Sequence, residues 1–260
     1  MRTAMKTKCA AVVVVALAVA FLGAAIPAQD KPAANPNAKP AAAQKEKKKD
    51  EVLGQADFMR TSWGQKKTVL MRGNVRFTHG DTVITSDEVT YDQDAKVAVS
   101  PKTIKITNPE CDITGDSGTA YFDDRLGVIE GSVAMLLKPK KTGEAQNPKD
   151  SNDESVREKL KKPTFINCQK LEYLYADKIA TASGQVQFKQ EKRSASAQTA
   201  VYDQNKELLK LTGNVQGMDE YGQTFAAPGT VLISLKEGDE WMEAEDVSAS
   251  FKIDLEEEKQ

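Results

Sequence analysis

A Gly-x-Val triplet recurs four times along the chain, at Gly73/Val75, Gly131/Val133, Gly184/Val186 and Gly213/Val215. A tyrosine next to or near an aspartate recurs with it, at Tyr91-Asp92, Tyr121/Asp123, Tyr175/Asp177 and Tyr202-Asp203. Tyr91 and Tyr121 lie 30 residues apart, Tyr175 and Tyr202 27, and Gly184 and Gly213 29. The 53-residue gap from Gly131 to Gly184 falls to 28 once a charged stretch of 25 residues, 138–162, is set aside. A period near 29 residues describes stacked units, each too small to bury its own apolar face and completed only by its neighbours. One unit reads as an apolar strand, a turn after Tyr-Asp, a second strand, and then the Gly-x-Val strand.

Within each unit apolar and polar residues alternate with a period of two. Val75 and Phe77, Val97 and Val99, Ile104 and Ile106, Val133 and Met135, Val186 and Phe188, and Leu209 and Leu211 all follow it. Short alternating runs bounded by Gly, Asn and Asp are the signature of half-buried strands. The separating segments His79-Gly80-Asp81, Asp92-Gln93-Asp94, Asp123-Asp124-Arg125 and Gln204-Asn205-Lys206 favour tight reversals. The fold class is therefore all-β. Glycine inside a strand only weakens it unless a bend is wanted, so the recurrent glycines mark places where the sheet curls. The recurrent tyrosines read as packing residues at strand ends rather than as ligands.

The body runs over 51–253, and the flanking segments have a different character. Residues 1–28 read as a secretory signal: Arg2, Lys6 and Lys8 precede an apolar run over 9–26, and small residues surround Pro27. An uncleaved N-terminal anchor is the alternative, because 18 apolar residues sit at the lower limit for spanning a bilayer. Both readings place the body outside the cytoplasm. Residues 29–50, with Pro32, Pro36 and Pro40 and a closing charge run, read as a disordered linker. The stretch 138–162 reads as a charged surface insertion, and 254–260 as an acidic tail.

Charge and residue usage exclude several functions. The formal net charge is −2; the signal contributes +3 and no acid, which leaves −5 for the rest and no basic footprint for nucleic acid. Gly115-Asp116-Ser117-Gly118 spells the local signature of a chymotrypsin-like serine, but nucleophilic catalysis needs a base and an orienting carboxylate beside it. His79 is the chain's single histidine and lies 38 residues upstream, in a turn. One histidine also leaves no recognisable zinc set, and the Asp92/Asp94 and Asp123/Asp124 pairs fall short of a calcium loop. No catalytic residue, cofactor or metal is expected. Cys111 and Cys168 lie beyond the signal, and an oxidising compartment permits a disulfide between them; two buried thiols are the alternative.

Leu211-Thr212-Gly213-Asn214-Val215, with Tyr202-Asp203-Gln204 and Gly184-Gln185-Val186-Gln187-Phe188 before it, resembles the OstA-like repeat. That repeat belongs to the periplasmic lipopolysaccharide-transport proteins LptA and LptC and to the N-terminal domain of LptD. Arg72-Gly73-Asn74-Val75 through Glu130-Gly131-Ser132-Val133 is similar to it as well. The resemblance implies a β-jellyroll of stacked antiparallel strands, lipid A acyl chains held in an apolar groove, and jellyrolls joined edge to edge, with a homo-oligomer as one form, into a bridge to the outer membrane. The charged insertion 138–162 and the acidic tail depart from the family pattern.

On this reading the groove is lined by Val75, Phe77, Val133, Met135, Val186, Phe188, Leu211 and Val215. The function expected is a periplasmic carrier of lipopolysaccharide or a related glycolipid. An exported β-repeat scaffold or polysaccharide-binding module is the alternative. Aromatics at 6% of the chain, with only Trp63 and Trp241 as tryptophans, weaken that alternative where sugars must stack on rings.

Overall fold

Alternation and turn chemistry produce eighteen strands in one antiparallel sheet, in a computed structural model that describes residues 52–138, 162–236 and 238–250. The signal, the linker, residues 139–161 of the insertion and the acidic tail lie outside the described residues. The N-terminal half contains β1 (Val52–Gln55), β2 (Phe58–Trp63), β3 (Lys67–His79), β4 (Thr82–Asp92), β5 (Val97–Ser100), β6 (Ile104–Thr107), β7 (Cys111–Gly115), β8 (Ser117–Tyr121) and β9 (Leu126–Leu137). The C-terminal half contains β10 (Thr164–Leu174), β11 (Ile179–Gln190), β12 (Arg193–Asp203), β13 (Leu208–Thr212), β14 (Val215–Met218), β15 (Thr224–Ala227), β16 (Thr230–Lys236), β17 (Asp239–Ala244) and β18 (Ser248–Ser250).

Each long strand serves two ladders. Residues 67–72 of β3 pair with β2, whereas 76–79 pair with β1. The same split recurs in β4, β9 and β12, so the sheet is creased along its length into two leaves. The first leaf runs from β2 through β5, β8, β13 and β16 to β17, and the second from β1 through β6, β7, β14 and β15 to β18. One hydrophobic core draws residues from both, including Val69, Val89 and Leu211 of the first leaf and Phe77, Ile106 and Val215 of the second.

Gly-x-Val forms the crease. The ladders shift register between Arg72 and Val75 and between Ser183 and Val186. Gly73 has φ +73° and Asn74 +47°, and Gly213 and Asn214 repeat the pair at +83° and +48°. Two successive left-handed residues turn the strand sharply; glycine adopts that region without a steric penalty and asparagine tolerates it. Valine follows because it is the first residue to face inward after the bend: Val75, Val133, Val186 and Val215 are all buried.

Tyr-Asp forms the opposite rim. Asp92 Oδ1 accepts from the amides of Asp94 and Ala95, and Asp203 Oδ1 from those of Asn205 and Lys206. The aspartate thus closes the turn on itself, as short acidic side chains do. Each turn ends in a left-handed residue, Lys96, Arg125, Lys178 or Glu207. The carbonyls of these four accept from Phe122, Tyr175, Gln204 and Leu235 at 2.8–3.1 Å, tying successive turns into a rail. Tyr91 and Tyr175 pack beneath it, whereas Tyr121 lies on the face opposite the buried Ala120. Tyr91 meets the edge of the Phe122 ring at 5.5 Å between centroids, and the Tyr175 hydroxyl donates to the Phe122 carbonyl.

The possible disulfide between Cys111 and Cys168 is not formed. Cys168 is a free, buried thiol. It lies opposite Val133, next to the crease, whereas Cys111 lies opposite Leu137, four residues further along β9 and on its other side. At ~3.4 Å per residue and ~4.8 Å per strand, that offset exceeds the ~7 Å between Cα atoms that a bridge can span.

Candidate functional site: an apolar trough between two leaves

Cross-strand register assembles the site one residue at a time. On the inner face of the second leaf, Gly54 lies opposite Phe77, Phe77 opposite Ile84, and Ile84 opposite Ile106. The row continues through Ile113, Met135 and Ile166 to Phe188. It ends through Ala195, Gly217 and Phe225 at Ala249. Twelve consecutive strand segments contribute one residue each, and none of those residues is polar. A row of this kind is what a period-two pattern yields when every strand keeps the same face inward.

All eight groove residues expected from sequence fall on inner faces. Val75, Val133, Val186 and Val215 line the crease; Phe77, Met135 and Phe188 belong to the row above it. Leu211 faces them from the first leaf, between Ala200 and Val231. They differ in accessibility. Six are at most 2% exposed, whereas Met135 and Phe188 are only partly buried. The crease residues pack the interior, and apolar surface accessible from outside begins further out, at Met135, Leu137, Ile166, Phe188 and Phe225.

Ile106, Ile113, Ile166 and Phe225 share the row with Phe77 and Phe188, and only strand pairing shows it. Each crease glycine also has a fixed companion fifteen or sixteen residues upstream: Asp57 beside Gly73, Asp116 beside Gly131, Gln169 beside Gly184 and Gln198 beside Gly213. Asp116 of the serine-like segment is one of these companions. Gly115 and Gly118 leave the space taken by Ile129 and Ile104. Ser117 therefore sits at the crease of the first leaf, while His79 ends β3 at the far rim of the second. The two residues of the protease-like reading are not brought together.

Burial dominates the titration of the site's polar groups. It pushes the Tyr173 hydroxyl up to about 12, raises Tyr91 and Tyr175, and raises the Cys168 thiol. Among the described residues no group of three or more His, Cys, Asp or Glu side chains is placed to hold a metal ion.

The trough is open at both ends. Among the described residues β1 and β2 pair only with β3, while β17 pairs only with β16 and β18 only with β15. Both ends carry exposed apolar side chains, with Trp63 at 80% and Met59 at 65% on β2, and Met242 at 55% and Trp241 at 40% on β17. Their charges differ. β2 contains Arg60 and no acid, and β17 contains Asp239, Glu240 and Glu243 and no base.

Residues 55–228 match the model of a family described as LptA/(LptD N-terminal domain) LPS transport protein. Among solved structures the chain is similar to LptH, the LptA homologous periplasmic component of the conserved lipopolysaccharide transport device from Pseudomonas aeruginosa. That match has 18% identity, covers 63% of this chain and 82% of the other, and has a TM-score of 0.28. No curated protein matches the chain.

Proposed function

The chain belongs to the family of LptA and LptD N-terminal-domain LPS transport proteins, and on that premise we propose that it carries lipopolysaccharide or a related glycolipid through the periplasm, shielding acyl chains between its two leaves. The observation that carries this reading is the unbroken apolar row across the second leaf, backed by the buried inner face of the first. Each acyl methylene moved from water onto such a surface contributes about 0.8 kcal/mol. The protein acts by binding and handing on, without chemistry on its cargo.

The open ends support the second half of the proposal. Unpaired edge strands present main-chain donors and acceptors that a further sheet can complete. Basic β2 and acidic β17 favour head-to-tail joining, with another copy or another jellyroll component, over pairing of like edges. A chain of such units keeps the trough continuous and bridges toward the outer membrane.

Photo-crosslinkers at Met135 and Phe188, the partly buried members of the row, test the groove in cells. Lipopolysaccharide adducts at either position, with none at the outward-facing Arg76, are expected. Adducts at the outward position alone would remove the groove from the mechanism.

A further inference from the structure

The inner face of the second leaf nearly excludes charge. Its outward positions carry Arg76, Lys105, Asp112 and Lys189. Its inward positions alternate with these, and among the described strand residues only one of them, Arg193, carries a formal charge at pH 7. Arg193 lies two residues before Ala195 on β12, on the same face, and opposite Gln190 of β11. At ~3.4 Å per residue its Cα is about 7 Å from the apolar row, one step toward the far rim.

That step falls beside the accessible part of the row. Phe77, Ile84, Ile106 and Ile113, in the N-terminal half, are at most 3% exposed, whereas Met135, Ile166, Phe188 and Phe225 are only partly buried. Ala195, in the row between Phe188 and Phe225, is half-buried. An arginine beside such a surface can lay its methylenes along it and keep its guanidinium at the boundary with water.

The guanidinium is lightly engaged. Its Nη2 donates to Glu220 Oε1 at 2.7 Å, in the turn between β14 and β15. Both side chains stay partly exposed, a setting in which an ion pair adds little stability. One carboxylate oxygen uses one of the five donors in the fork, whose planar geometry matches a phosphate or a carboxylate. The other acid of that turn, Asp219, closes the turn itself: its Oδ1 accepts from the amides of Tyr221 and Gln223. Gln190, opposite Arg193, donates through Nε2 to Thr164 Oγ1 at 2.8 Å.

We propose that Arg193 anchors the head of the cargo: its guanidinium holds the anionic group, phosphate or carboxylate, of an amphiphile whose chain lies on Phe188, Ala195 and Phe225. This rests on the acyl trough proposed above and adds which end of the amphiphile faces the far rim. Glu220 occupies the fork when no cargo is bound and competes with the incoming anion.

Calorimetric titration of the full chain with dodecyl phosphate, dodecanoate and dodecyl maltoside, each below its micelle concentration, tests the anchor. The anions are expected to bind roughly tenfold tighter than the neutral maltoside. Arg193→Gln should bring them down to the maltoside's level and leave maltoside binding unchanged, which also reports that the variant is folded. Glu220→Gln removes the competing carboxylate and should tighten the anions further. Preference for dodecyl phosphate alone, or for dodecanoate alone, names the anion; preference for both assigns the site to either head. Three results each overturn the anchor and leave the trough standing: equal binding of all three probes, an anion preference that survives Arg193→Gln, or no gain in Glu220→Gln. Binding of none of the three overturns trough and anchor together.

Discussion

The amide of Gln198 donates to the carbonyl of Gly213 at 3.0 Å, and its side chain fills the space where a Cβ on that glycine would point. The same relationship joins Asp57 to Gly73 and Asp116 to Gly131, so the crease is a repeated contact between a bent strand and its neighbour. Gly213→Ala meets both a left-handed φ of +83° and the Gln198 side chain. It should lower unfolding stability by about 1–3 kcal/mol. Adding Gln198→Ala should restore only the steric part, which paired urea melts will show as partial recovery.

Leu211 and Met135 should separate packing from cargo. Leu211 is 2% exposed within the core, so Leu211→Ala should cost about 2–5 kcal/mol through the cavity it leaves. Met135, partly buried on the accessible row, should cost less stability when truncated and more lipid retention. Co-purified lipid, quantified by mass spectrometry alongside thermal melts, separates the two effects.

Tyr173 makes stability depend on alkaline pH. Burial raises its hydroxyl from 10.0 to about 12. The unfolded chain therefore loses this proton first, and above pH 10 the folded state binds more protons than the unfolded one. Stability is whole below pH 10 and falls between pH 10 and 12. The Tyr173 hydroxyl is also buried without a hydrogen-bond partner, so Tyr173→Phe should fold at least as stably at pH 7. Denaturant midpoints across the alkaline range should decline less steeply in that variant.

Cys168 should stay reduced. Its buried thiol, raised by desolvation, should react with iodoacetamide only after denaturation. Peptide mapping without reductant should yield no Cys111–Cys168 linkage; finding one would overturn the register between β7, β9 and β10.

Edge pairing should respond to charge. Arg60→Glu on β2 is expected to weaken concentration-dependent assembly, and Glu243→Lys on β17 to restore it in the same chain. Analytical ultracentrifugation over a wide concentration range reads both. A monomer throughout for the unmodified chain removes edge pairing from the mechanism.

The inner and outer faces were legible because alternation is local: Val186 and Phe188 announce their common side within three residues. The crease was legible for the same reason, since Gly213-Asn214 specifies its own backbone bend. What the sequence by itself determined was thus an all-β chain, its bends, its turns and which side chains share a face. Tertiary structure decided the rest, because it depends on which strand lies beside which. Pairing placed Gln198 against Gly213, joined Phe77 to Phe225 in one row through nine strand-to-strand contacts, and separated Cys168 from Cys111. An alternating pattern tells each strand which face to bury, but not its neighbour or register; those follow from packing energies summed over contacts far apart in the chain.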